Sequence, residues 1–243
     1  MRAASLLILS TLAAHSLPAQ SWPCVSRKSP DRSFVDVAET TGGQVILATP
    51  DEIEKTTFLH IQRPSHPETI YRSTGGLFNE TREFAFPIDS TVSSLLISVM
   101  LACKGDIAAL QPNPEVAPTE SASLKGAYIA RFTNPTPGPW RLRLRGNGFY
   151  SIVVEAKSPI VFQEGTLAGP ATGPRYRLTG DEGQTLRRLD APPTGTIADP
   201  PPRYRLAVEG NDPQGLPFQR LKRHMDIAPP ATAPPAGAPA PRP

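Results

Sequence analysis

From Trp140 to Arg145 apolar and basic residues alternate strictly, with Trp140, Leu142 and Leu144 on one parity and Arg141, Arg143 and Arg145 on the other. A period of two marks a β-strand with one buried and one wet face. The stretch therefore predicts a strand that packs its tryptophan side into a core. Short apolar segments recur along the middle of the chain at residues 69–73, 82–86, 94–101, 107–110, 127–132, 140–145 and 150–156. Strands at such regular intervals predict an antiparallel β-sandwich. Gly146-Asn147-Gly148 supplies residues that tolerate positive φ, and predicts a hairpin turn between the strands on either side.

The flanks read differently. Phe34 to Thr41 carries apolar residues at 34, 35, 37 and 38 with Gly42-Gly43 behind, the pattern of a short helix stopped by glycine. Val45 to Ala48 then predicts a strand, and Pro50-Asp51-Glu52-Ile53-Glu54 the acidic first turn of a second helix. Thr74-Gly75-Gly76 reads as a turn. Further on, Pro174-Arg175-Tyr176-Arg177-Leu178 returns as Pro202-Arg203-Tyr204-Arg205-Leu206. Both copies alternate, which predicts Tyr and Leu inward and the arginines outward on strands of a second, smaller β module.

Composition adds a location and a tail. Met1-Arg2, the apolar run Ala3 to Ala14 and the Leu17-Pro18-Ala19 exit have the three parts of a signal peptide, with cleavage expected after Ala19. A secreted or periplasmic protein of the cell envelope follows. No later stretch approaches the roughly 18 apolar residues of a membrane span, so no transmembrane segment is expected. The mature chain would carry 24 basic against 22 acidic residues. That near-neutrality, with arginines spread along strands rather than clustered, argues against nucleic acid as a partner. Thirty prolines punctuate the chain and dominate Pro229 to Pro243, which predicts an extended, polyproline-like tail. The expected organisation is a signal peptide at 1–19, a linker and helix-strand-helix remnant at 20–62, the sandwich at 63–163, the small β module at 164–226 and the Pro/Ala-rich tail at 227–243.

Three segments together resemble a family. Phe34-Val35-Asp36-Val37-Ala38-Glu39-Thr40-Thr41-Gly42-Gly43-Gln44-Val45-Ile46 resembles the closing helix and strand of the von Willebrand A-type domain in hemicentin-like proteins. Phe84-Ala85-Phe86-Pro87-Ile88-Asp89-Ser90-Thr91-Val92, with Asn134-Pro135-Thr136-Pro137-Gly138-Pro139-Trp140, looks like the galactose-binding-like, jelly-roll sandwich that follows it. Tyr204 to Gly210 and Gly215 to Arg220 are similar to the end of the Ig-like module that comes next. The resemblance implies a matrix or envelope protein that works by adhesion. The Asp-x-Ser-x-Ser metal motif of the A-type domain has no counterpart in this sequence, so the resemblance carries over no metal-dependent ligand binding.

Candidate chemistry is sparse. In an exported chain the two cysteines, Cys24 and Cys103, are expected to pair, which for so long a loop would add about 4 kcal/mol. Outside the signal peptide the histidines His60, His66 and His224 lie in unlike segments, and neither a metal site nor a cofactor is expected. No nucleophile elbow, His-Glu-x-x-His or phosphate loop occurs, so no catalytic residue is assigned. Asn79-Glu80-Thr81 matches the glycosylation acceptor pattern. The candidate ligand contacts are Arg141, Arg143 and Arg145, beside Glu155 across the expected hairpin, facing an anionic polymer. The expectation is a non-enzymatic binding or scaffold protein, whose partner is a protein or an envelope or matrix polymer, a glycan among them. The alternatives are a carbohydrate-binding module, which would need an exposed aromatic in a groove of the sandwich, and an exported hydrolase.

Overall fold

A computed structural model describes residues 30–48, 52–54, 67–103, 105–124, 126–193 and 197–228. The chain is mainly β and antiparallel, as the alternation predicts. Helix α1 spans Arg32–Thr41. The strands are β1 Glu68–Ile88, β2 Ser94–Leu101, β3 Asp106–Leu110, β4 Glu120–Ser123, β5 Ala127–Thr133, β6 Gly138–Lys157, β7 Val161–Gln163, β8 Thr166–Ala168, β9 Thr172–Thr179, β10 Thr185–Leu189, β11 Arg203–Asn211, β12 Pro217–Leu221 and β13 Asp226–Ile227.

The frame is one ribbon, β1 against β6, paired from Glu68↔Ala156 to Ile88↔Gly138. The ribbon folds over at its middle. β1 shifts register between Phe78 and Glu80, with Asn79 at φ 55, and β6 has Gly148 at φ 97 at the same level. One half of β6 pairs with β3 (Asp106↔Arg145 to Leu110↔Arg141) and the other with β2 (Ser94↔Lys157 to Leu101↔Tyr150). Two layers result, and the buried parity of each faces the other. Phe84, Phe86, Ile88, Trp140, Leu142 and Leu144 from one half meet Leu95, Ile97, Val99, Tyr150, Ile152 and Val154 from the other in a single core. Trp140 is fully buried, lies edge-on to Phe132 at 4.9 Å and donates its indole N–H to the Thr136 carbonyl at 2.8 Å.

Gly146-Asn147-Gly148 is therefore a bend in a continuous strand and not the hairpin turn its sequence predicts. The backbone groups on both sides are taken by β1, β2 and β3, leaving the two halves of β6 nothing to exchange with each other. Thr74-Gly75-Gly76 is likewise mid-strand in β1 and not a turn. A Cβ on Gly75 would lie 2.9 Å from the Tyr150 hydroxyl, so glycine here serves close packing.

The repeated Pro-Arg-Tyr-Arg-Leu segments lie side by side in β9 and β11, Leu206 opposite Leu178. Tyr176, Leu178, Leu206, Val208, Phe218, Ile160 and Phe162 form a second core. The hydrogen-bonded order β10-β9-β11-β12-β1-β6-β2-β5-β4 runs through both cores, joined at Thr69↔Leu221.

Helix α1 begins at Asp31, whose side chain accepts from the Ser33 N–H at 2.8 Å, and stops at Gly42 in the left-handed region, as predicted. The strand expected at 45–48 is not formed. The Gln44 side chain instead reaches the carbonyls of Ser98 and Ser151 at 3.2 and 3.3 Å, anchoring this segment over the sheet. The second helix expected from Pro50 falls largely outside the described residues, as do the segment 1–29 and the tail from Pro229. Among the described residues no helix is long and apolar enough to cross a membrane.

Candidate functional site

The outer face of the first half of β1 carries Arg72, Thr74, Gly76 and Phe78. Helix α1 covers the beginning of this row and stops short of its end. Glu39, on the buried side of α1, takes a hydrogen bond from Thr74 at 2.8 Å and pairs with Arg205 and, at 3.9 Å, with Arg72. Arg72 also donates to the carbonyls of Gly43 and Arg223. All three charged side chains are almost fully buried. Burial pushes the Glu39 carboxyl up, but the two guanidinium groups and its hydrogen bonds outweigh that and hold it below the ordinary value. This knot joins α1 to both β1 and β11, and so to both cores.

Beyond the helix the face opens into a groove of about 540 Å³, the size of a small-ligand site. Gly75, Gly76, Phe78 and Phe149 make its floor, and Val35 of α1 one side of it. Phe78 is 84% exposed, the most exposed large apolar side chain among the described residues. The rim is a ring of ion pairs. Arg32 contacts Asp181 at 3.0 Å and Asp36 at 3.1 Å. Arg203 contacts Asp36 at 2.9 Å and Asp181 at 3.5 Å. Arg82 contacts Glu80 at 2.6 Å and Glu182 at 3.0 Å. Partial burial of Arg32 acts to lower its pKa, and Asp181 and Asp36 reverse that, leaving it raised. The loop is pinned by a backbone bond from Thr74 N–H to the Asp181 carbonyl at 2.8 Å. The groove thus offers an apolar, aromatic floor and a rim of carboxylates and guanidinium groups held in fixed positions.

The sequence-predicted arginines lie elsewhere. Arg141, Arg143 and Arg145 are exposed on one face of the first half of β6, as alternation requires. Arg141 pairs with Glu83 at 3.2 Å, and Asp106 stands opposite Arg145, so acidic neighbours share that face. Glu155 does not join them. The bend carries it to the other half of β6, where it is fully buried with Arg223 at 4.0 Å. Arg205, predicted outward, is also fully buried, because α1 brings Glu39 onto its face. Cys103 is buried and is not a free thiol; Cys24, like His60 and His66, lies outside the described residues. His224 stands 3.9 Å from Asp226. Among the described residues no three His, Cys, Asp or Glu side chains are grouped to hold a metal ion.

Sequence reasoning did not single out Phe78, Arg82, Asp181 or Glu182. A large aromatic two residues beyond a glycine pair, in Gly75-Gly76-Leu77-Phe78, is the available signal. No family model and no curated protein matches the chain. Among solved structures it is similar to a Bacillus licheniformis lipase in its propeptide form, with 16% identity and a TM-score of 0.39 over 62% of this chain. The match spans 40% of that lipase chain, and a likeness of this degree carries no argument about function.

Proposed function

We propose that the chain is an exported, non-enzymatic binding or scaffold protein of the extracellular or cell-envelope space, acting by adhesion to a protein or a matrix polymer. The observation that carries this reading is the groove, a preformed concavity with an exposed phenylalanine and a rim fixed by reciprocal ion pairs. A rim so arranged positions hydrogen-bonding groups without presenting a lone reactive side chain. The hemicentin-like resemblance and the signal-peptide pattern point the same way, and a Cys24–Cys103 bridge belongs to the same proposal.

Phe78 specifically favours a second reading, a carbohydrate-binding module, since an exposed aromatic within a groove is the feature that reading requires. The arginine face of β6 is a separate candidate for an anionic polymer. One experiment separates them. The purified mature chain is run in a glycan and envelope-polymer pull-down beside two variants, Phe78→Ser and the triple Arg141→Ser, Arg143→Ser, Arg145→Ser. Retention lost only with Phe78→Ser assigns binding to the groove. Retention lost only with the triple variant moves the site to the arginine face, and retention unchanged in both refutes the two sites together.

A further inference from the structure

We propose that the groove seats the chain's own proline-rich C-terminal segment, Pro229 to Pro243, so that this tail is a built-in competitor for any external ligand. The inference rests on the reading of the groove as a binding site.

Three observations lead there. Phe78 pairs with Asn147 and Gly76 with Phe149, so Phe78 and Phe149 are diagonal neighbours on one face, about 7–8 Å apart at the backbone. Gly76, directly opposite Phe149, has no side chain, and the Phe78 ring lies 3.5 Å from where its Cβ would be. Two aromatic side chains thus share the floor of the groove, and aromatic-lined grooves are the standing mode of polyproline recognition. The ligand enters such a groove at low entropic cost because proline-rich chain is already extended.

The second observation is where the chain leaves the described fold. β13 pairs Ile227 with Arg203, and the Ala228 N–H donates to the Pro202 carbonyl at 3.0 Å. Arg203 itself lines the groove. The tail therefore starts beside the site it would fill. Third, its fifteen residues reach about 45 Å at the polyproline rise, ample to cross a groove that begins at its root.

The test keeps the chain at full length. In one variant all seven prolines of the segment are replaced by serine, and a synthetic peptide of residues 229–243 is titrated into it by calorimetry. The peptide is expected to bind this variant, and to bind the wild-type chain at least tenfold more weakly, because a short tether holds the native tail at roughly millimolar effective concentration. Adding Phe78→Ser to the serine-tail variant is expected to weaken peptide binding at least tenfold; Phe78 is exposed, so its loss leaves the fold intact. Absence of peptide binding to the serine-tail variant, or binding indifferent to Phe78, overturns the proposal. Concentration-dependent self-association of the wild type that Phe78→Ser abolishes overturns it too, in favour of tails exchanged between copies. If the peptide fails while the polymer pull-down still depends on Phe78, the groove reading survives and only its occupant is wrong.

Discussion

Removing the Glu39 carboxylate leaves Arg205 and Arg72 buried without the anion that sits between them. Arg72 keeps bonds to two backbone carbonyls, whereas Arg205 has Glu39 as its ion-pair partner. Breaking a buried pair by deleting one partner costs about 3–5 kcal/mol, because the remaining charge stays out of water. Glu39→Ala is expected to lose that much, which for a chain of this size lowers Tm by about 6–20 °C. Urea unfolding at pH 7, followed by far-UV circular dichroism, gives the difference from the shift in midpoint at constant slope. The carboxyl is held below its ordinary pKa in the folded chain, so its contribution is complete above the unfolded value of about 4.3 and fades as pH falls through the folded value. The gap between wild type and variant should be full above roughly pH 5 and narrow on acidification. Adding Arg205→Met to Glu39→Ala should recover part of the loss, since no unpaired guanidinium then remains at that position. A loss below about 1 kcal/mol, or a gap that does not depend on pH, would refute the view that this triad fastens α1 to the sheet.

Trp140→Ala should cost about 3–5 kcal/mol and its neighbour Arg141→Ala less than about 0.5 kcal/mol, a contrast that thermal melts of the two variants read directly. Asp89→Ala leaves Arg220 fully buried after removing the carboxylate 2.8 Å from it, and should lower the urea midpoint by the equivalent of about 3–5 kcal/mol; a loss typical of a surface site would show that water reaches Arg220. Gly105→Ala would put a Cβ 2.2 Å from the Arg145 carbonyl, and should destabilise by about 1–3 kcal/mol through the β3–β6 edge, seen as faster amide exchange there. In the native, unreduced protein a thiol reagent should titrate no cysteine, and two only after denaturation and reduction; two reactive thiols at the outset would remove the Cys24–Cys103 bridge.

Alternation made the sandwich strands legible. Residues 94–101 coincide with β2, and the parity of Trp140, Leu142 and Leu144 gave their burial correctly, because facing direction is a local property of extended backbone. What covers the outer face is not local. Arg205 occupies a polar position in its strand and would be wet were α1 not folded back on it from 166 residues away in sequence. The same holds for Arg72. The bend at Gly146 to Gly148 looks like a hairpin turn in sequence because glycine reports only that positive φ is tolerated, while the choice between turning back and turning over depends on whether a long partner strand runs alongside, as β1 does here. The groove was invisible for a related reason: its floor comes from β1 and β6, its sides from α1 and the loop after β9, and no single segment carries its signature.

The ribbon that builds both layers also sets the timing of folding. Ile88 finds its partner fifty positions later at Gly138, and Glu68 finds its own eighty-eight positions later at Ala156. Local contacts therefore cannot stabilise β1, and the loop-closure entropy must be met before the ladder returns anything. A chain made from its N-terminus would hold the 21-residue strand β1 unpaired with β6 until residue 157 had followed, and only then could the core close. Refolding on the millisecond-to-second scale of β topologies, with an interval in which an apolar strand edge is open to other chains, is the expected kinetic behaviour.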